Sequence, residues 1–381
     1  RYHLRKPNFC PTTRGHLYPM IPLAEIIRQH EADYRSRYRQ QLTPERAKAL
    51  SAMQSCRSMM APHLLAACPD CTERRLIPHS CGHRSCPHCQ HHESEQWLER
   101  QRRLQVPAEY FLLTFTLPGE LRPLAFRHAR MVYAALFTAA WATVQTFCRN
   151  DRKLKGEAGA VAVLHTHSRR LDLHPHVHLA MPAATLDPKT RRWRTKSGYL
   201  FNHQALAKVF RGKLLAALKQ EGLTLPSQLP GKWVADCKSV GNGEKALVYL
   251  GRYLYRGVLR ESDILSSENG QVSFRYRDSQ SGEMKVRTLP GADFLRLILQ
   301  HVLPKGFRRA RNYGFLHPNR KSLIALLHLV LKIAPRTPPS EKPRPAFLCP
   351  CCGMPMQIIR RRIPAQEARR RSSALMAEMA V

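Results

Sequence analysis

Five histidines fall within fourteen residues: His165, His167, His174, His176 and His178. In Leu173-His174-Pro175-His176-Val177-His178-Leu179-Ala180-Met181, a strand's period of two puts His174, His176 and His178 on one face. Leu173, Val177, Leu179 and Met181 fill the other. Neutral imidazoles in a row make a poor core and a good platform for a divalent cation. A solvated histidine-rich strand is the bland alternative, and the second pair in Val161-Ala162-Val163-Leu164-His165-Thr166-His167 weighs against it. A reversal around Leu171-Asp172 would set His165 opposite His178 and His167 opposite His176, all on one face.

Residues 244–259 read as a helix ending at Gly257, with Tyr249 and Tyr253 one turn apart on one face. Arg252 and Arg256 form a parallel row beside them, and Tyr255 lies well around the cylinder. A tyrosine pair alone reads as packing; beside an arginine row and a metal platform it reads as chemistry. Phenolic oxygen is a nucleophile that needs help at its ordinary pKa of about 10.

Cysteine supplies a second centre. Cys68-Pro69-Asp70-Cys71 and Cys86-Pro87-His88-Cys89 are two CxxC turns with 14 residues between them, a spacing that suits one tetrahedral zinc. The expected ligands of this structural Zn2+ are therefore Cys68, Cys71, Cys86 and Cys89, with Cys81, His83, His88 and His91 as spare candidates. Cys349-Pro350-Cys351-Cys352-Gly353 looks like half of a zinc site with no obvious second CxxC.

Lys and Arg number 62 against 27 Asp and Glu in 381 residues, a formal charge of +35 spread along the chain. A polyanion partner follows, with nucleic acid the commonest. The loop Asp187 to Ser197 places Arg191, Arg192 and Trp193 together, a pairing of cation and aromatic that suits unpaired bases and phosphates. The sequence opens at Arg1 rather than Met and carries no n-region followed by an apolar core, so secretion is not indicated. The longest apolar run, Leu323 to Ala334, is too short to span a bilayer, so no membrane partner is expected. Twelve cysteines, several in CxxC pairs, point to metal rather than disulfides.

Four segments must position these residues. Residues 1–62 form a basic helical segment, in which Thr43-Pro44 fits an N-cap and first helical position. Residues 63–100 form a zinc-binding module, and residues 101–320 hold a β-rich run at 110–117, a helix near 123–150, the two histidine strands, a helix near 203–220, a strand at 232–237 and the tyrosine helix. A hairpin (272–276 with 284–288) and a helix at about 291–302 follow. Residues 321–381 comprise a Pro-rich linker, the Cys349 cluster and a basic tail.

The His-hydrophobic-His strand followed by a helix bearing Tyr249 and Tyr253 resembles the HUH superfamily of single-strand DNA endonucleases. The Cys-rich module, the Leu173–His178 context and Tyr249-Leu250-Gly251-Arg252-Tyr253 together resemble the insertion sequence 91 family of rolling-circle transposases, over about Cys68 to Leu316. The resemblance implies an α+β fold: a ferredoxin-like antiparallel sheet flanked by helices, the HUH endonuclease fold, preceded by a zinc-ribbon module. It implies tyrosine nucleophiles, nicking and rejoining of one DNA strand through a 5′-phosphotyrosine, and single-stranded DNA partners at transposon ends and target. A bacterial cytoplasmic, nucleoid-associated setting goes with it. A divalent metal, Mg2+ or Mn2+, would sit on His176 and His178; His165, then His167, is favoured as third ligand, and His174 is weaker because Pro175 bends its strand. Two other readings are a non-catalytic zinc-containing DNA-binding protein and a metal-dependent hydrolase of small substrates. The second needs further His and Asp ligands and leaves the charge unexplained.

Overall fold

The computed structural model describes residues 21–334, apart from 90, 188, 189, 191 and 256, and residues 346–370. Helices α1 (Leu23–Arg37) and α2 (Pro44–Ser55) open it; Thr43 caps α2 by accepting the Arg46 N–H, with Pro44 in the first turn. Strands β1 (His63–Ala67) and β2 (Arg74–Pro78) and helix α3 (His91–Arg102) follow. Next come β3 (Tyr110–Thr116), α4 (Arg122–Arg127), α5 (Ala129–Asn150), β4 (Glu157–His167), β5 (Leu173–Pro182), β6 (Ala184–Leu186) and β7 (Trp193–Thr195). Then come α6 (His203–Gln220), β8 (Ala235–Ser239), α7 (Glu244–Tyr255), β9 (Ile264–Glu268), β10 (Gln271–Arg277), β11 (Met284–Pro290) and α8 (Gly291–Leu299). Last are β12 (Ala310–Gly314), α9 (Lys321–Val330) and β13 (Gln357–Ile363).

The central sheet runs β7-β6-β4-β5-β3-β8, with β12 added to β4, and its pairings are antiparallel. Alternation along β4 and β5 divides the core in two. Ala160, Ala162, Leu164, Val177, Leu179 and Met181 meet α5 and α6 on one face. Val161, Val163 and Ala180 meet Trp97 of α3 and Leu247, Leu250 and Leu254 of α7 on the other. The sheet is thus flanked by helices as expected. The helix expected near 123–150 is broken at His128 into α4 and α5.

Helix α5 has 22 residues and is long and apolar enough to cross a membrane by length and composition. The sequence reading overlooked it in favour of the shorter run at Leu323 to Ala334. Here it is the core helix: Val132, Leu136, Phe137, Ala140 and Val144 are fully buried against the sheet.

Two smaller sheets complete the chain. In β11-β10-β9, Val272 and Phe274 share a core with α1, α2 and α8, through Ile26, Ile27, Leu50, Phe294 and Leu295. The N-terminal helices therefore pack on residues 264–299 as well as on each other and on Cys86 and Cys89. In the sheet β13-β1-β2, the C-terminal strand lies beside the first.

Strand β12 was not expected, because its Ala-Arg-Asn-Tyr-Gly sequence lacks strand-like alternation. It runs Ala310↔Val163 to Gly314↔Gly159 along β4, extended by the Leu164 N–H bonding the Arg309 carbonyl at 2.9 Å. Gly314 has φ +59, and a Cβ there would lie 1.6 Å from the Ala158 carbonyl oxygen, so the strand end requires glycine.

Candidate active site and metal centres

The antiparallel β4–β5 pair sets His165 opposite His176 and Val163 opposite His178, two residues away from the expected register. The turn is the reason: Leu171 takes φ +68, Ser168 and Asp172 close a five-residue loop, and the ladder shifts between His165 and His167. A shift of two keeps each side chain on its face, so His165, His176 and His178 still converge. One ligand atom from each lies within 4.8 Å of the others. His167, past the irregularity, instead faces Tyr253 and His301 at ring distances of 5.2 and 5.4 Å, and the His174 Nδ1 meets the Arg122 guanidinium at 2.9 Å.

The three imidazoles fit a cation chemically. His176 donates its Nδ1–H to the His174 carbonyl at 2.7 Å, which leaves Nε2 with its lone pair. The His178 Nδ1 is 2.8 Å from the Thr114 hydroxyl, while its Nε2 is buried without a protein partner. Neither nitrogen of fully buried His165 has one. Burial holds His176 down to about 4 and, with His176 beside it, His178 to about 3; burial and both neighbours hold His165 well below the ordinary value. All three are neutral at pH 7 and offer lone pairs. The donor set fits a divalent metal.

Helix α7 crosses this face. Tyr253 stacks on His165 at 3.9 Å and 10°, and Tyr249 lies 5.7 Å from both His165 and His178 and 5.2 Å from Tyr253. Helix α3 backs α7: Ser94 donates to the Gly251 carbonyl at 3.1 Å, and Gly251 lets the Trp97 ring approach where a Cβ would stand 3.3 Å away. Arg102 Nε bonds Glu244 at 2.8 Å near the start of α7. Burial, then Tyr253, pushes the Tyr249 phenol up; burial also raises Tyr253, against the pull of Arg169 and Arg309. Each phenol needs a nearby positive charge to ionise.

The positive charge around them comes partly from residues that the sequence reading did not single out. Arg309 is half-buried near Tyr253 and donates to the Leu164 carbonyl at 3.0 Å. A groove of about 350 Å³ in front of the tyrosines is lined by Arg169, Arg252, Arg275 and Arg277 among others, and exposed Arg169 sits in the turn between the histidine strands. That position, between two histidine runs, was the available signal for Arg169. Arg252 is exposed on this groove as its helical position implied; Arg256 and Arg191 lie outside the described residues. Arg192 is exposed, but Trp193 is half-buried on β7 and packs edge-on against Phe315 at 5.6 Å, so its ring is a packing element rather than an open stacking platform.

The expected zinc quartet separates. Cys86 and Cys89 join Cys56 and Cys81, whereas Cys68 and Cys71 lie with Cys349 and Cys352. Local CxxC spacing fixes each turn but not which turns meet, and here β13 pairs with β1 and carries its own turn to Cys68. In the first group the Cys89 Sγ is 3.6 Å from those of Cys56 and Cys81. Four sulfurs around one zinc lie about 3.8 Å apart. Cys56, at the end of α2, is the ligand the sequence gave no reason to choose; Cys81 had been a spare candidate. This group is fastened to the tyrosine region. The Arg84 guanidinium reaches the carbonyls of Leu303, Pro304 and Phe307 ahead of β12, and the His88 Nε2 lies 2.9 Å from Glu261.

A family model described as "Putative transposase" matches residues 159–322, and one described as "Transposase zinc-binding domain" matches residues 26–117. The protein y4qJ of Sinorhizobium fredii, which carries the former description, is 33% identical over 318 residues, covering 77% of this chain and 80% of that protein. The transposase for insertion sequence element IS801 of Pseudomonas savastanoi pv. phaseolicola is 32% identical over 269 residues, covering 65% of this chain and 63% of that protein. Among solved structures, the conjugative relaxase TrwC in complex with mutant OriT DNA aligns with a TM-score of 0.26 at 20% identity, over 32% of this chain and 48% of that one.

Proposed function

The chain belongs to the insertion sequence 91 family of transposases, and from that premise we propose that it nicks and rejoins single-stranded DNA with Tyr249 and Tyr253 as nucleophiles. It is a rolling-circle DNA transposase with a zinc-binding module, and its work on DNA places it in the cytoplasm. Residence on the nucleoid belongs to the proposal. The observation that carries the reading is one contact set: two tyrosines on one turn of α7 lie over three neutral, converging imidazoles.

His165, His176 and His178 would hold a divalent cation such as Mg2+ or Mn2+, which supplies polarisation of the scissile phosphate and a counter-charge for the phenolate. Imidazole donors favour Mn2+, because Mg2+ prefers oxygen. Arg169, Arg252 and Arg277 would guide the phosphodiester backbone along the groove towards the tyrosines. One tyrosine oxygen attacks phosphorus, a 5′-phosphotyrosine forms, and the 3′-oxygen leaves as a hydroxyl. A second tyrosine one turn away can attack the next junction while the first strand is still attached, and the free 3′-hydroxyl reverses the first bond to rejoin DNA.

The test is incubation of the protein with labelled single-stranded DNA bearing the ends of its element, with Mg2+ or Mn2+. A denaturant-resistant protein–DNA adduct is expected, lost when both tyrosines are replaced by phenylalanine. Binding without any adduct would leave a non-catalytic zinc-containing DNA-binding protein.

A further inference from the structure

We infer that Cys68, Cys71, Cys349 and Cys352 form a second zinc site, one tetrathiolate centre assembled from the two ends of the chain. It stands apart from the nuclease reading, and only half of it falls inside the matched zinc-binding domain at residues 26–117.

Geometry carries the assignment. Sγ of Cys68 lies 3.4 Å from that of Cys352, Cys71 is 3.6 Å from Cys349 and 4.0 Å from Cys352. A disulfide needs about 2.05 Å. The edge of a zinc tetrathiolate, about 3.8 Å, lies within the observed range. Each half is a tight turn built for metal. Cys68 donates its N–H to the Glu73 carbonyl at 2.9 Å. On the other side the Cys349 N–H bonds the Met354 carbonyl, and the Gly353 N–H the Cys349 carbonyl, both at 2.8 Å. Gly353 takes φ +78, the left-handed conformation that glycine adopts without strain. Cys351, inside the same turn, is exposed and outside the four-sulfur group.

The fold has a reason to need the metal. Among the described residues of 346–370, the buried side chains are Cys349, Met356, Ile363 and Ala368, while Phe347, Leu348, Ile358 and Ile359 are exposed. That is too little apolar burial to hold a terminal strand by itself. A metal bonded to both halves would fix β13 against β1, and with it the exposed Arg360, Arg361 and Arg362 in the same sheet as exposed Arg74 and Arg75, across β1 from them.

The full-length protein, purified without chelator, is weighed by native mass spectrometry. Two zinc ions per chain are expected, and one after Cys349→Ser with Cys352→Ser; one zinc in the unaltered protein, or two in the variant, overturns the site. Should the variant lose both, alkylation of the unaltered protein decides. Cys352 is as open as Cys351, so burial cannot shield it; coordination should make it roughly ten-fold slower or more to alkylate, because a bound thiolate is a poor nucleophile. Release of that protection by a chelator upholds the site. Equal rates for the two cysteines, or protection released by a phosphine reductant and not by the chelator, overturns it.

Discussion

The rings of His165 and Tyr253 lie face to face, 3.9 Å apart and 10° from parallel. A fully buried strand histidine thus fixes the ring plane of a proposed nucleophile from another element. Replacing Tyr249 and Tyr253 by phenylalanine keeps these ring contacts and removes only the hydroxyls. The double variant should melt with the unaltered protein and bind single-stranded DNA equally well, with adduct reduced to background. Tyr255 follows Tyr253 by two positions, a spacing that helical periodicity does not set on one face, and Tyr255→Phe should leave cleavage largely intact. Adduct formation by the double variant would remove both tyrosines from the mechanism.

Thr114 was invisible as a functional residue, yet its hydroxyl lies 2.8 Å from the His178 Nδ1. Supporting contacts of this kind typically set metal affinity by about 10–100-fold. Thr114→Val should weaken Mn2+ binding by that amount, and His165→Ala by more. Calorimetric titration with unchanged affinity in both would remove the metal from His165 and His178.

Zinc content also separates the two cysteine pairings. Cys56→Ser leaves a Cys68–Cys71–Cys86–Cys89 centre untouched but removes one ligand from the group with Cys81, Cys86 and Cys89. Metal analysis should show one zinc fewer per chain, and looser packing of α1 and α2, because Cys56, Cys86 and Cys89 belong to the core those helices share with α8. Full zinc occupancy in this variant would return the sequence's own pairing.

Gly314→Ala should lower stability by about 3 kcal/mol or more, since both its positive φ and the adjacent Ala158 carbonyl forbid a Cβ. The tyrosine helix does not touch this position through any contact named above, so a folded fraction should keep metal affinity. An unchanged melting temperature would mean that β12 is not anchored where it lies.

Asp151 gives a pH signature. Burial would raise its carboxyl, but the hydrogen bond from Lys196 Nζ at 2.6 Å, with backbone N–H groups of Lys153 and Leu154, holds it below the usual range. A lowered folded value stabilises fully above the unfolded pKa of about 3.9 and fades as pH falls through the folded one. Asp151→Asn should therefore cost about 1–2 kcal/mol at pH 7 and less near pH 3. Equal losses of urea midpoint at both pH values would contradict this.

How much of this was legible follows from what each signal depends on. His176-Val177-His178 and Tyr249 with Tyr253 were readable because strand and helix periods are local and fix which side chains share a face. The partner opposite His178 was not, because register depends on the left-handed Leu171 and a ladder irregularity that alternation does not encode. The CxxC turns were visible, but their pairing is decided by β13 reaching β1 across the chain. Arg309 is one of several cations in Phe307 to Tyr313, and only its place next to β4 sets it, half-buried, near Tyr253. The charged neighbours of Trp193 suit a stacking aromatic and a minor core residue equally; the edge-on contact with Phe315, far along the sequence, is not written in that loop.

The meeting of Cys68 with Cys352 spans 284 positions, which turns a spatial contact into a matter of timing. At about 5–20 residues per second, a ribosome delivers the second half of that contact roughly 15–60 s after the first. The histidine strands and the tyrosine helix emerge well inside this interval. A growing chain thus has its proposed catalytic residues in hand while Cys68 and Cys71 are still waiting as open thiols and β1 has one neighbour instead of two. A chain cut short before residue 349 carries Cys68 and Cys71 as two unclaimed thiols, the record of its incompleteness.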